Sequence, residues 1–254
     1  MSRKISVIIP AKDEANSIGE LIARTKMNLA KRRFEIIVID DGSEDNTKEI
    51  AKNSCVMAIS HVKTLGKGAA MKTGAAAASG DILVFLDGDG AHNPEDIPNV
   101  LAPILENRAD LVIGSRDFRD SKTGGSYLPR RITNKLASLV TSIIVSFLLP
   151  LVTWFRCPVK WIAAEDAECG FKAISKEKWN QLSLVSQGFE IESEIIYEAA
   201  KNGFILSNVP ISCNWTCRVS RLSIARDGLK TLGLLFSKLF TDMRERQSVK
   251  ARSN

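Results

Sequence analysis

The feature of this sequence that most constrains its fold is a regular alternation of short apolar segments with helical patterns. The apolar segments lie at residues 5–10, 34–39, 56–60, 82–86 and 110–114, and a helical pattern follows each of the first four. Strands that alternate with helices form βαβ units, in which neighbouring strands run parallel and the helices cover the faces of the sheet. We therefore predict an α/β fold with a mostly parallel sheet that is flanked by helices.

Two carboxylates directly follow the fourth apolar segment. Residues 82–86 run without interruption into Asp87-Gly88-Asp89. Open α/β sheets bind ligands beyond the carboxyl ends of their strands. Two carboxylates one residue apart suit a divalent cation that also takes oxygens from a substrate phosphate. The pair predicts a metal and phosphate site, and an acidic turn that only caps the next helix is the alternative.

Three predicted helices begin with residues that are typical of N-terminal caps. Ser17 and Glu20 have the spacing of a capping box. Asn46 and Asn93 stand where a side chain caps the following helix, and Pro94 fits a first helical position. We expect these side chains to hydrogen-bond to the first turns of their helices.

A glycine-rich turn, Gly66-Lys67-Gly68, begins another predicted helix. It lacks both the Walker spacing and the third glycine of a GxGxxG sequence, which disfavours a P-loop or a nicotinamide site. Two interpretations stay open. Lys67 is a candidate phosphate contact, and the turn is equally consistent with a flexible helix start.

A long apolar segment, residues 136–155, contains twenty residues without a charge. Its length is enough to span a bilayer. However, Pro150 would break or kink a helix here, and polar residues recur at four-residue intervals on one helical face. These polar residues are Asn134, Ser138, Ser142 and Ser146. We predict one or two helices that lie in the membrane interface or dip into it, with a true span as the alternative.

The basic residues are concentrated at the C-terminal end. The chain has a net charge of +6, and residues 216–254 hold nine Lys or Arg against three Asp or Glu, so the remainder is neutral. Apolar residues recur in this tail at helical spacing, which predicts a basic amphipathic helix on a membrane surface. The alternative is a terminal helix that packs on the core. A nucleic-acid partner is not predicted, because the tail lacks interleaved stacking aromatics.

The cysteines and the N-terminus indicate an intracellular protein. The five cysteines have no regular spacing, as expected for reduced thiols rather than disulfides or a zinc site. A predicted strand begins almost at the first residue, so we expect no signal peptide.

Several stretches together resemble one known family. They are SVIIPAKDEANSI, EIIVIDDGSEDNT, GKGAAMKTGAAAASGDILVFLDGDGAHNPEDI, ADLVIGSR, AECGFKAIS and GFEIESEIIYEAA. In this order they resemble the inverting family-2 glycosyltransferases of GT-A fold, specifically the polyprenyl- and dolichyl-phosphate sugar synthases. The resemblance covers most of the chain. It implies a GT-A domain over residues 1–215, which includes the apolar segment, followed by the basic tail at residues 216–254.

The resemblance also implies roles for particular residues. Asp87 and Asp89 would bind Mg²⁺ or Mn²⁺ on the donor diphosphate, and Arg116 and Arg130 would face phosphates as catalytic residues. The nucleotide sugar would contact Pro10, Ala11, Asp13, Glu14, Asp40, Asp41, Lys67 and Asp87. The acceptor phosphate would contact Arg130, Asn134 and Arg218. Some relatives have a further glutamine metal ligand where this chain has Ala91, so water or His92 is the candidate replacement.

The implied reaction moves a sugar from a nucleotide-diphosphate sugar to a polyprenyl or dolichyl phosphate at the cytoplasmic face of a membrane. The ECGFK sequence is closer to the glucosyl than to the mannosyl enzymes, which favours UDP-glucose or UDP-N-acetylglucosamine. GDP-mannose as donor and a non-lipid acceptor are the alternatives within the family. A membrane-surface binding module without catalytic activity is the alternative outside enzymes.

Overall fold

A computed structural model of the chain describes residues 3–116, 135, 138–149, 165–214 and 224–253. Its seven strands form a single sheet. They are β1 (Ile5–Ala11), β2 (Phe34–Asp40), β3 (Met57–Ser60), β4 (Ile82–Phe85), β5 (Leu111–Arg116), β6 (Lys172–Ser175) and β7 (Leu206–Ile211). The strand order is β3-β2-β1-β4-β6-β5-β7.

The prediction of a mostly parallel sheet is confirmed, with one exception. Strand β6 runs antiparallel to both of its neighbours, β4 and β5. It begins at Lys172, which pairs with Phe85 at the end of β4 and with Ile113 near the end of β5. The residues just before β6 therefore lie at the carboxyl edge, where β4 and β5 end.

Helices cover the sheet. They are α1 (Ile18–Leu29), α2 (Thr47–Asn53), α3 (Lys67–Ala77), α4 (Ile97–Leu105), α5 (Lys176–Trp179), α6 (Ile191–Lys201) and α7 (Ile224–Ser253). The central strands are buried on both faces, as the uninterrupted apolar runs predict. All four residues of β4 are at most 1% exposed, and burying each such side chain contributes about 1.5–3 kcal/mol.

The predicted side-chain caps are wrong. Ser17 precedes α1 with helical backbone angles, whereas a capping residue adopts an extended conformation. Its hydroxyl instead donates to the carbonyl oxygens of Gly88 and Glu14. Asn46 makes no side-chain cap, and Asn93 bonds to Ser212 and Arg24 instead. Pro94 does begin a short 3₁₀ helix, Pro94–Asp96, that leads into α4.

Residues 138–149 of the long apolar segment are helical, with a π-helical turn at Ile144–Leu148. Within the described parts of the chain, no helix is long and apolar enough to cross a membrane. Three serines of the predicted polar stripe share a face, and this face is buried. Ser138 accepts a hydrogen bond from the backbone of Ala167, and Thr141 contacts Ser193 of α6.

The tail helix α7 packs on the same helix, α6. Asp242 accepts hydrogen bonds from Tyr197 and Lys201, while Lys238 pairs with Glu194 and Glu198. Its apolar side chains lie on two faces. Among the side chains described at residues 227–244, Leu235 and Leu239 are buried or nearly so, whereas Leu229, Phe236, Phe240 and Met243 are exposed. The tail therefore packs on the core, as the alternative interpretation had it, and still exposes an apolar face.

Candidate active site

The candidate site lies where β1, β2 and β4 end side by side. Ala11 pairs with Asp40 in the parallel register, and its carbonyl accepts from the amide of Asp41 at 2.8 Å. The amide of Gly88, just after β4, donates to the carbonyl of Pro10 at 3.3 Å. The structure therefore brings the residues at the ends of β1 and β2 that are predicted to contact the nucleotide sugar close to the Asp87-Gly88-Asp89 turn.

The loops after β1 and β2 are tied to each other. Asp13 has a left-handed backbone (φ 47°), and its carboxylate accepts from the amide of Glu44 at 2.8 Å. The amide of Asp13 donates to the hydroxyl of Ser43, and the amide of Glu14 donates to Thr47. Asp40 in turn accepts from the amide of Ser43. These bonds give Asp13, Glu14 and Asp40 a fixed arrangement at one end of the site.

Asp41 is buried and organises the segment that leads to α3. One carboxylate oxygen lies 2.7 Å from His61 Nδ1 and accepts from the amide of Leu65. The other accepts from the amide of Gly66 at 2.8 Å. His61, which the sequence analysis did not single out, also contacts Thr73 through Nε2 at 3.0 Å. Asp41 therefore shapes the entry to the glycine-rich turn.

The glycines of that turn are explained by close backbone contact. A Cβ added to Gly66 (φ 104°) would lie 2.4 Å from the carbonyl oxygen of Gln187, and one on Gly68 would lie 2.8 Å from that of Ser186. The amide of Ala69 donates to the same Gln187 carbonyl. The turn is therefore packed against residues 186–188, and flexibility is not needed to explain its glycines.

Lys67, the first residue of α3, points at the Asp87-Gly88-Asp89 turn. Its ammonium lies 2.6 Å from Asp87 Oδ1 and 2.7 Å from Oε1 of Glu192. Burial lowers the pKa of Lys67, but the two carboxylates raise it by more, and the net shift is upward. Burial raises the pKa of Asp87, but the Lys67 ammonium lowers it by more, and the net shift is downward. Both groups are charged at neutral pH.

Glu192 and Lys172 are functional candidates that the sequence analysis missed. Both side chains are only 1% exposed, and they form an ion pair. Lys172 also donates to the carbonyls of Cys169 and Ala167. A lysine inside a short strand and a glutamate in a buried helix are each costly unless they are paired. That mismatch between charge and environment is the signal that could have indicated them.

Two further side chains belong to the turn that begins at Asp87: Asp89 accepts a backbone hydrogen bond, and His92 is buried beside Asp87. Asp89 accepts from the amide of Ala91 at 2.9 Å. His92 is 2% exposed, with Nδ1 4.0 Å from Asp87 Oδ2 and Nε2 3.7 Å from the sulfur of Cys169. Burial lowers the pKa of His92, which favours the neutral ring. His92 therefore packs behind Asp87.

The carboxylates of Asp87 and Asp89 fit a divalent cation that a substrate helps to bind. Among the described side chains, no group of three or more His, Cys, Asp or Glu could hold a metal alone, so a cation here would need further ligands from substrate or water. Mg²⁺ in phosphate-transferring sites is usually held by one or two carboxylates plus substrate phosphates and water. Gly170 packs on this turn, since an added Cβ would lie 2.3 Å from both oxygens of Asp87.

Arg116, which ends β5, forms a bidentate pair with Asp166. Its Nε and Nη2 lie 2.5 and 2.7 Å from the two carboxylate oxygens. Burial lowers the pKa of Arg116 and Asp166 raises it by more. That Arg116 faces substrate phosphates stays a prediction. The other predicted phosphate contacts, Arg130, Asn134 and Arg218, lie outside the described residues.

Residues 6–169 match glycosyl transferase family 2, and the chain belongs to this family. It is 30% identical over 235 residues to the UDP-N-acetylglucosamine--dolichyl-phosphate N-acetylglucosaminyltransferase of Methanococcus voltae, covering 84% of this chain and 86% of that protein. It is 34% identical over 197 residues to the dolichol-phosphate mannosyltransferase of Pyrococcus furiosus, where the match covers 76% of this chain but 52% of that protein. The protein is thus a glycosyltransferase.

The fold also matches solved structures. Glucosyl-3-phosphoglycerate synthase of Mycobacterium tuberculosis, crystallised with Mn²⁺ and UDP-glucose, superposes with a TM-score of 0.66 at 24% identity, covering 92% of this chain and 79% of that one. At this identity the likeness shows the fold alone. The GT-A fold that the sequence resemblance implies is confirmed.

Proposed function

We propose that this protein transfers a sugar from a nucleotide-diphosphate sugar to a polyprenyl or dolichyl phosphate, with inversion at the anomeric carbon. The observation that carries the proposal is the placement of Asp87 and Asp89 at the carboxyl edge, beside the loops after β1 and β2. The names of the two relatives support a lipid phosphate as the acceptor.

The reaction depends more on neutralising the charge of the phosphate groups than on proton transfer. A phosphate monoester has a second pKa of about 6 and is mostly dianionic at neutral pH, so it attacks the anomeric carbon without a general base. Lys67 places an ammonium beside Asp87, close to where the leaving diphosphate would lie. Mg²⁺ or Mn²⁺ bound by Asp87 and Asp89 would neutralise charge on that diphosphate. Arg130, Asn134 and Arg218 remain the proposed contacts of the acceptor phosphate.

For the donor, we propose UDP-glucose or UDP-N-acetylglucosamine. The ECGFK sequence and the name of the Methanococcus relative support this choice, whereas the name of the Pyrococcus relative supports a mannosyl donor. Competition binding with UDP-glucose, UDP-N-acetylglucosamine and GDP-mannose tests it. We expect a UDP-sugar to bind at least about tenfold more tightly than GDP-mannose, a difference of about 1.4 kcal/mol. Tighter binding of GDP-mannose would reverse the assignment.

We propose that the reaction takes place at the cytoplasmic face of a membrane. The helix at residues 138–149 supports this, because its polarity is opposite to that of a water-facing helix. Ser138, Ser142 and Ser146 are at most 4% exposed, whereas an apolar stripe on the other side is 41–53% exposed. We define this outward stripe as Leu139, Ile143 and Phe147.

The tail helix α7, which also packs on α6, supports the proposed binding to a membrane surface. Its exposed face carries Phe236 and Phe240, with the Arg244 guanidinium 4.6 Å from the Phe240 ring. Apolar side chains flanked by cations suit an anionic bilayer, into which the rings insert while the cations meet the headgroups. A phosphoglycerate acceptor, of the kind that the name of the Mycobacterium enzyme gives for that protein, would leave both exposed faces without a role.

A further inference from the structure

Four charged side chains alternate in sign from the turn after β4, through α3 and α6, to the start of β6. In order they are Asp87, Lys67, Glu192 and Lys172, and each contacts the next. The two ammonium groups balance the two carboxylates. The first acid of the proposed cation pair is therefore already neutralised by a lysine of the chain itself.

The other ionisable groups near this cluster have little effect on the balance between its positive and negative charges. Arg116 and Asp166 neutralise each other in their bidentate pair. Glu168 donates no charge to this turn, because burial raises its pKa towards the neutral form and its carboxyl accepts from the hydroxyl of Ser193. Asp89 then contributes the remaining negative charge of the turn.

Lys67 is held in this position from two sides. Its backbone lies between Gly66 and Gly68, which pack on the carbonyls of residues 186 and 187. That segment is fixed in turn by Glu194, which accepts from the amides of Val185 and Ser186 at 2.9 Å. Glu192 holds the ammonium end of the side chain.

A divalent cation that approaches Asp87 therefore meets an ammonium already bound to it. Like charges a few ångströms apart repel strongly in a partly buried site, and the amino end of α3 adds a partial positive charge. A diphosphate brings the negative charge that both the cation and Lys67 require.

We propose that Lys67 makes divalent-cation binding depend on the nucleotide diphosphate, and that Glu192 is the positioning residue that keeps Lys67 at Asp87. Free cation is excluded by the lysine and enters together with the donor. This inference rests on the proposed donor site and adds an order to the binding of its two ligands.

The test measures binding of Mn²⁺ and UDP to the full chain, without acceptor, by the electron paramagnetic resonance signal of free Mn²⁺ and by calorimetry. In the wild type, saturating UDP should tighten Mn²⁺ binding by at least about tenfold. Lys67→Met should tighten binding of Mn²⁺ alone by about tenfold and weaken binding of UDP alone, two effects of opposite sign. Glu192→Gln removes the contact that keeps the Lys67 ammonium at Asp87, so it should reduce the factor by which UDP tightens Mn²⁺ binding. An unchanged factor in the folded variant would exclude Glu192 from the positioning role.

Lys72→Met is the matched control, since it removes a positive charge from the same helix α3 and should leave Mn²⁺ binding unchanged. Wild-type protein that binds Mn²⁺ equally well with and without UDP would overturn the inference, whether or not the variants fold, and would leave the transferase proposal intact. Unchanged Mn²⁺ affinity in folded Lys67→Met would also overturn it. Failure of the wild type to bind UDP and Mn²⁺ under any condition would overturn both proposals.

Discussion

Replacement of Asp89 by asparagine is expected to lower the rate of sugar transfer by at least ~10²-fold, the scale on which loss of a key electrostatic contact reduces catalysis. Asparagine keeps the size of the side chain, and its oxygen can still accept from the amide of Ala91. The substitution therefore removes the charge that would bind the cation while it preserves the turn. The measurement is the initial rate with saturating donor and acceptor.

Asp81→Asn provides the control for this variant. Asp81 lies just before β4, at the opposite end of the strand, where it accepts from the amide of Lys4. Its replacement should leave the rate within about twofold of wild type, since surface changes away from the site have small effects. Near-normal transfer by Asp89→Asn, or full wild-type activity in the presence of a chelator, would show that the metal assignment is wrong.

Serine substitutions throughout the outward stripe, Leu139→Ser, Ile143→Ser and Phe147→Ser together, are expected to weaken vesicle binding by at least ~10²-fold. Burial of each such side chain contributes about 1.5–3 kcal/mol. Half of the middle of that range for three residues is about 3.4 kcal/mol, which exceeds a hundredfold. Because the stripe is exposed in the protein, the fold should tolerate the change. Flotation with phosphatidylglycerol-containing vesicles measures the effect.

The matched control is Met27→Ser with Ile205→Ser. These residues are at least as exposed, at 77% and 56%, but lie on α1 and just before β7. The control protein should bind vesicles as the wild type does, and high salt should weaken binding of both by screening the basic tail. Equal vesicle binding by the stripe variant and the wild type would exclude the stripe from the membrane surface.

The strands were predictable because the central ones are buried on both faces and therefore read as uninterrupted apolar runs. The direction of β6 was not predictable, because the alternation of side chains along a strand carries no information about which way the strand runs in the sheet. That direction follows from where the chain re-enters the sheet after β5. The prediction of side-chain caps failed because it considered only neighbours along the sequence. Ser17 is a residue type that caps helices, but its hydroxyl donates to the carbonyl of Gly88, which is distant along the chain.

The part of the site that was predictable consists of residues that lie close together in the sequence. Asp87 and Asp89 follow one strand and share its edge, so their position follows from the fold. Glu192 and Lys172 reach Lys67 and each other through tertiary contacts, which spacing along the chain does not encode. The four-residue period of the serines likewise predicted a stripe. The stripe faces inward because Ser138 accepts from the amide of Ala167 and the nearby Thr141 contacts Ser193 of α6.

The most direct test of the proposed transferase is the mass of the product formed from polyprenyl phosphate. Purified protein with Mg²⁺ or Mn²⁺ would receive UDP-glucose, UDP-N-acetylglucosamine or GDP-mannose, with polyprenyl phosphate and 3-phosphoglycerate as competing acceptors. We expect one hexose or N-acetylhexosamine to appear on the lipid phosphate, from a UDP-sugar, and none on 3-phosphoglycerate. Sugar transferred only to 3-phosphoglycerate, or an unmodified lipid with every donor, would contradict the proposed function.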